Sequence, residues 1–366
     1  MCCSACSANS VVENSATSFV LRRHWSALMA TRTFTTDRGD DGRRIDLVLR
    51  RHLSGVDTVT RTRIQRWIED GAVTVNGGRV HRTASRIAPG DLIAIALPSA
   101  AEATRPPMQA ARGHLDLLLE DDYLLAINKP AGLVVHPTHA HATGTLMNAL
   151  LWHARRWPST HRPSIVGRLD KLTSGIVVVA KTAAMHAALQ RAMAASASEK
   201  EYLAVVYGRV NVAAGRIDLR LSRDRADRRK VVASEHSGAE SLTRFERLGR
   251  VPAPRVWLTL LRCRLVTGRT HQIRAHLAAR GWPLVGDPVY GEPRWSEIAD
   301  SELADRLRAL RRQALHAWRL ALVHPVTHSR LELQAPLPLD MQGLLDVSGL
   351  GGNRVLERQP RTSPQR

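Results

Sequence analysis

The chain has 366 residues, 44% of them hydrophobic, which gives room for two domains with a sizeable core and excludes a wholly disordered polar chain. Its formal net charge of +20 points to a polyanionic partner, nucleic acid first, with a generally cationic, Arg-rich proteome as the bland alternative. No apolar run approaches the roughly 18–20 residues that span a bilayer, no secretory h-region follows a basic start, and Cys2, Cys3 and Cys6 crowd the first six residues away from Cys263, so no disulfide framework or four-ligand zinc set is visible and a cytoplasmic protein is expected.

Residues 1–34 are polar and without sustained periodicity, so a disordered leader is expected. An over-long gene start is the alternative, since Met29 opens a more ordinary beginning. From Arg43 the pattern changes: Ile45, Leu47, Val48, Leu49 and Leu53 fall at helical spacing. Thr60 is a suitable cap for a second helix with Ile64, Trp67 and Ile68 on one side, and Gly71 stops it. Val73-Thr74-Val75-Asn76-Gly77-Gly78 reads as a strand and tight turn, and Gly90-Asp91 precedes a strand from Leu92 to Leu97. This layout over residues 35–98, with its Val-x-Val-Asn-Gly signature, resembles the S4-type RNA-binding domain. The resemblance implies that Arg61 and Arg63, with Arg66, face RNA phosphates; a solvated basic helix face is the other reading.

Residues 99–113, with Pro106-Pro107 and few large apolar side chains, have linker composition. A larger domain is expected over 114–341. Leu115–Leu119 and Leu124–Asn128 read as strands, Lys129-Pro130-Ala131-Gly132 as a turn, and Gly144–Leu151 as a helix. His136, His139 and His141 lie close together and raise a metal-hydrolase reading, but no Asp or Glu nearby completes a site. The central stretch runs from Ser164 to Thr182. Ile165-Val166 and Ile176–Ala180 are β-branched runs around a loop that holds Arg168, Asp170, Thr173 and Ser174. Loops mounted on rigid strands are common places for chemistry; from spacing alone Asp170 is a solvated carboxylate or a turn former. Thr182–Ala195 reads as a packing helix, Lys200–Gly208 and Trp257–Leu265 as strands, and residues 222–230 as an exposed Arg/Asp-rich loop able to touch RNA. Beyond about 342 the chain is polar, and 342–366 is expected to be a disordered basic tail.

Arg168-Leu169-Asp170-Lys171-Leu172-Thr173-Ser174-Gly175 followed by a strand resembles the active-site motif of pseudouridine synthases of the RluA type. The resemblance extends through the run Asn128–Pro137, Lys200-Glu201-Tyr202, Leu265–His276, Gly286–Gly291, Leu315-His316-Ala317 and His324-Pro325. It departs at Gly167, where the family usually carries histidine. What the resemblance implies is an α/β enzyme with a mixed, largely antiparallel sheet flanked by helices. It would isomerise uridine to pseudouridine in RNA, large-subunit ribosomal RNA first and transfer RNA as the alternative. Asp170 would be the essential carboxylate, whether it attacks the sugar, attacks the ring or removes a sugar proton. Arg274 would pair with it, as a planar guanidinium suits a carboxylate. Tyr202 would stand against the uracil, and Arg168 would support the flipped-out arrangement. Arg269 and Lys200 are further RNA-binding candidates. The reaction adds and removes nothing, so no cofactor or metal is expected, and a monomer is expected. A non-catalytic RNA-binding or ribosome-assembly protein that keeps the fold is the rival reading.

Overall fold

The computed structural model describes residues 30–53, 59–97, 108–137, 143–227, 229–253, 256–291 and 294–351. The chain divides into two compact units, Met1–Pro107 and Met108–Arg366. Among the described residues no helix is long and apolar enough to cross a membrane.

The first unit contains β1 (Ala30–Thr35), α1 (Ile45–His52), α2 (Arg61–Glu69), β2 (Val73–Val75), β3 (Gly78–Arg79) and β4 (Leu92–Leu97). Its strands form one antiparallel sheet in the order β1-β4-β2-β3. Ile45, Val48 and Leu49 from α1 meet Ile64 and Ile68 from α2 over Ile93 and Ile95 of β4, all buried. The Thr60 hydroxyl accepts a hydrogen bond from Arg63 N, which caps α2. Asn76 and Gly77 both take positive φ, as the tightest hairpin turn requires. The Asn76 amide also donates to Asp91 and accepts from Leu92 N, tying that turn to the start of β4. Residues 1–29 of the leader expected over 1–34 lie outside the described residues; residues 30–34 are not disordered, because β1 starts at Ala30 and pairs along β4 from Ala30↔Leu97 to Thr35↔Leu92.

The second unit contains β5 (Leu117–Glu120), β6 (Leu124–Lys129), α3 (Leu146–His153), β7 (Ser164–Val166), β8 (Ser174–Ala180), α4 (Ala183–Ala194) and β9 (Glu199–Tyr207). It continues through β10 (Ala214–Asp218), β11 (Arg220–Arg223), β12 (Val231–Ser234), β13 (Leu242–Ala253), β14 (Val256–Leu265) and α5 (Gln272–Ala279). Its last elements are α6 (Ser301–Ala309), β15 (Leu315–Val323), β16 (Arg330–Gln334) and α7 (Leu339–Val347). Ten strands form one mixed sheet in the order β10-β13-β14-β9-β15-β8-β6-β5, with β16 on β15 and β7 on β8; β11 and β12 make a separate hairpin. Among the described strands only the β8–β15 pair is parallel.

Strand alternation divides the core. On β8, Val177 and Val179 pack with Leu146 and Leu150 of α3, while Val178 packs with Met185 and Leu189 of α4. On β9, Ala204 and Val206 meet Ile273 and Leu277 of α5, while Val205 and Tyr207 meet the cluster built by α6 and α7. A strand buried on both faces is what an unbroken Ile-Val-Val-Val-Ala run encodes.

Three further expectations change. The tail expected from 342 is not wholly disordered: α7 runs to Val347 and buries Met341, Leu344, Leu345 and, just beyond, Leu350. Arg312 holds this helix through two bonds of 2.6 Å to Asp340. Of the linker expected over 99–113, residues 99–107 lie outside the described residues, and the rest packs on α3: the Asn148 amide donates to Gln109 O and Ala111 N donates to Asn148 O. The segment expected to be a loop at 222–230 begins and is followed by the strands of the β11–β12 hairpin.

The centre of the sheet is tight. Gly175 takes φ +110°, and a Cβ there would lie 2.2 Å from Ala317 O of β15. Gly175→Ala is therefore expected to destabilise the protein by roughly 3 kcal/mol or more, through strain at positive φ and overpacking against backbone. Denaturant unfolding of the variant checks this.

Candidate active site

The loop between β7 and β8 turns at Gly167, whose φ is +76°. L side chains rarely adopt that conformation, so glycine relieves strain here. The space beside it is open: a Cβ would meet Met193 Cε at 3.9 Å and nothing closer. Further on, Thr173 N donates to Asp170 O, closing a turn. The Gln313 amide donates to the Thr173 hydroxyl at 3.0 Å. From below, Lys129, fully buried, donates to the carbonyls of Pro130, Leu133 and Lys171 at 2.8, 3.1 and 3.1 Å. Gly132 N donates to that same Lys171 carbonyl. Burial, reinforced by the Arg312 charge, lowers the Lys129 pKa to about 8. The Asp170 loop is thus tied to β6 and to the segment before β15.

Asp170 and Arg274, 104 residues apart, meet: Arg274 Nη1 donates to Asp170 Oδ2 at 2.9 Å. Arg274 stands on the first turn of α5 and is 4% exposed. Its orientation is set by a second carboxylate. Arg274 Nε and Nη2 both donate to Asp287, each at 2.8 Å, in a bidentate fork. Asp287 also accepts from Val289 N and Tyr290 N. Burial alone would raise the Asp287 carboxyl pKa; the Arg274 fork and the two backbone donors outweigh it and hold it below the usual range.

The same register that makes the sheet tight makes the cleft. Tyr202 on β9 lies beside Ala317 on β15, which lies beside Gly175 on β8. Two small residues next to a large aromatic leave a hollow. The cleft has a volume of about 470 Å³, within the range of small-ligand pockets. Asp170, Tyr202, Arg274, Arg168, Arg269 and Lys200 all line it. Tyr202 is half-buried; burial first, then the Asp170 charge, push its phenol well above its ordinary pKa, so it remains protonated. Arg168 is exposed and reaches across the loops, Nη2 donating to the Thr270 hydroxyl at 3.1 Å. Arg269, also exposed, donates to Glu240 O, and Lys200 donates to Met193 O near the end of α4. Arg61 and Arg63 belong to the other unit, at the start of α2, where Arg61 is exposed.

Sequence reasoning gave no role to Asp287, His271, Tyr290, Thr270 or Lys129. Their positions inside matched motifs were the available signal. Of the three histidines considered as metal ligands, His136 is exposed and His139 and His141 lie outside the described residues. Among the described residues a possible metal-ligating group is Asp37, Asp40 and His52, but Arg51 donates to both carboxylates, which makes it an ion-pair cluster.

Residues 123–279 match the family model for RNA pseudouridylate synthase, and residues 43–93 match the S4 domain. The chain is 38% identical over 292 residues to Uncharacterized RNA pseudouridine synthase YlyB of Bacillus subtilis (strain 168), covering 78% of this chain and 89% of that protein. It is 39% identical over 289 residues to Ribosomal large subunit pseudouridine synthase D of Yersinia pestis, covering 79% and 86%. Among solved structures, Human RNA Pseudouridylate Synthase Domain Containing 4 shares the fold, with a TM-score of 0.50 and 24% identity over 63% of this chain and 92% of that one. An isomerase that works on RNA is the class these matches define. The chain belongs to the RNA pseudouridylate synthase family and carries an S4 domain.

One buried group under the site links it to acidity. The Ser174 hydroxyl meets His316 Nδ1 at 2.9 Å, and His316 Nε2 meets Ala335 O at 3.3 Å. Burial lowers the His316 pKa to about 4. The unfolded chain takes up that proton near 6.5, before the folded ring does, so stability falls as pH drops from 6.5 towards 4. The expected loss from this residue is about 3 kcal/mol. Unfolding free energies against pH should show a flatter slope in His316→Gln than in the parent; equal slopes would exclude the assignment.

Proposed function

We propose that this enzyme converts uridine to pseudouridine in large-subunit ribosomal RNA, with Asp170 as its essential carboxylate. The observation that carries the reading is the Asp170–Arg274 pair at 2.9 Å in an open cleft beside Tyr202. The RNA assignment is supported by relatives named for the large ribosomal subunit and by the S4 match.

The reaction breaks the bond from the sugar C1′ to uracil N1, turns the base, joins C1′ to C5 and moves a proton from C5 to N1. Atoms balance within the nucleoside, so no redox partner is required. Asp170 Oδ2 is held by Arg274 Nη1, while Oδ1 has no hydrogen-bond partner among the described residues. That free oxygen is the one available to the sugar or the ring. Tyr202, held as a phenol, stacks on the uracil and can donate a hydrogen bond to it. A stacked uridine cannot reach the cleft, so it has to be extruded. Arg168, exposed at the loop, would support the vacated stack. Arg269 and Lys200 at the cleft, and Arg61 and Arg63 on α2, would contact phosphates, and unpaired RNA shape would supply specificity.

Asp170→Asn should lose pseudouridine formation on unmodified ribosomal RNA while still binding it. Activity equal to the parent would remove the catalytic assignment. Arg274→Lys keeps the charge but loses the fork to Asp287, and a displaced carboxylate is expected to cost about 100-fold in rate. Mapping of pseudouridines in cells with and without the gene decides the RNA: sites lost from large-subunit ribosomal RNA support the proposal, and sites lost only from transfer RNA replace it.

A further inference from the structure

We propose that His271 is a positioning residue for the Asp170 carboxylate, fixed by Tyr290 as the tautomer that carries its proton on Nε2. The inference rests on the reading of Asp170 given above.

The starting point is a backbone outlier. His271 takes φ 54° and ψ 20°, the left-handed region, immediately before α5. A non-glycine residue held there is a candidate for function. Its ring is not spent on capping the helix. Gln272 fixes this turn instead: its Oε1 accepts from Arg269 N and the Thr267 hydroxyl, and its Nε2 donates to Leu242 O and the Thr243 hydroxyl. The imidazole, 19% exposed, is thereby left to face the cleft, which it lines.

Both ring nitrogens have a neighbour. Nδ1 lies 3.1 Å from the Tyr290 hydroxyl, and Nε2 lies 3.7 Å from Asp170 Oδ2. The Tyr290 oxygen already accepts from Val231 N at 2.7 Å. A backbone N–H can only donate, so the phenol proton is free to point at Nδ1. The opposite tautomer would put two donors on Tyr290 Oη. It would also aim the Nε2 lone pair at the negative Asp170 carboxylate. Hydrogen bonding and electrostatics therefore favour the same state, Tyr290 O–H donating to Nδ1 and Nε2–H directed at Asp170.

The consequence falls on one carboxylate oxygen. Arg274 Nη1 and His271 Nε2 both approach Asp170 Oδ2. Two positive ends on the same oxygen oppose rotation of the carboxylate and keep Oδ1 towards the cleft. The charged and titratable groups facing the ring are Asp170 and Arg168 from the β7–β8 loop, Arg274 from α5, and Asp287 and Tyr290 from the turn after it. Burial is the leading influence and keeps His271 below its ordinary pKa, which agrees with a neutral ring. The Tyr290 ring also lies 5.1 Å under the Arg274 guanidinium, so one aromatic side chain contacts both groups that hold Asp170.

The test uses the full chain labelled with 15N-histidine, with His271 assigned by its disappearance in His271→Asn. Asparagine tolerates the left-handed backbone. Long-range 1H–15N spectra at neutral pH should show His271 protonated at Nε2 and bare at Nδ1. In Tyr290→Phe the Nδ1–H form should appear. A parent enzyme with the proton on Nδ1 would overturn the proposal. In single-turnover assays on a ribosomal RNA fragment, His271→Asn should lower the rate about 10- to 100-fold with half-saturation unchanged. A parent-like rate in His271→Asn, with Asp170→Asn inactive, would sink this inference alone; an active Asp170→Asn would sink the reading beneath it. Should His271→Asn fold poorly, Tyr290→Phe keeps both rings and carries the same two readouts.

Discussion

A single buried guanidinium shared between two carboxylates is the interaction on which the site depends. Arg274 is nearly excluded from water, and so is Asp287, at 3% exposed. Taking such charges out of water is costly, and their attraction repays the cost only with good geometry and satisfied hydrogen bonds. That condition is met on the Asp287 side by a bidentate fork and two backbone donors. Asp287 is thus enclosed, while Asp170, 24% exposed at the side chain, is the carboxylate of the two that solvent reaches.

The sheet makes this possible by bringing three distant segments together. The β8–β15 pair is the single parallel contact among the described strands, and it stands directly beside the Asp170 loop. Gly175 permits the approach, and Ala317 in turn pairs with Tyr202 on the next strand. Lys129 adds a second tie. An ammonium that donates to three carbonyls in a dry site holds two loops in one geometry, because losing any of those bonds would leave a buried polar group unmet. The loop that carries Asp170 is therefore braced from two sides, by Lys129 and by Gln313.

How much of this could be read from the chain depended on whether a residue's neighbours were local. The helices of the first unit followed from apolar spacing, and the β7–β8 pair from β-branched runs. The Asp170–Arg274 contact spans 104 residues, and only motif resemblance joined its two ends. Asp287 lies inside the matched Gly286–Gly291 run, but its pairing with Arg274 did not show, since a carboxylate in Gly-Asp-Pro reads equally well as a turn former. Strand β13 was hidden because Arg244, Glu246 and Arg250 are exposed and a register shift between Arg247 and Gly249 breaks its alternation. Helix α7 was hidden because its apolar residues fill barely two turns among prolines and a glycine. Strand β1 is an edge strand whose one large apolar side chain is Phe34, and its identity is fixed by pairing with β4 rather than by its own pattern.

The departure at Gly167 has a physical account in the backbone. Any residue with a side chain at φ +76° carries strain, and glycine carries none. A Cβ at Gly167 would meet only Met193 Cε, at 3.9 Å, among the described residues. The loop is instead held from its far side, by Thr173 on Gln313, by Lys171 on Lys129 and by Asp170 on Arg274. A position that supports none of these contacts can change identity without moving the carboxylate, whereas Thr173, Gln313, Lys129 and Arg274, which do support them, are all buried.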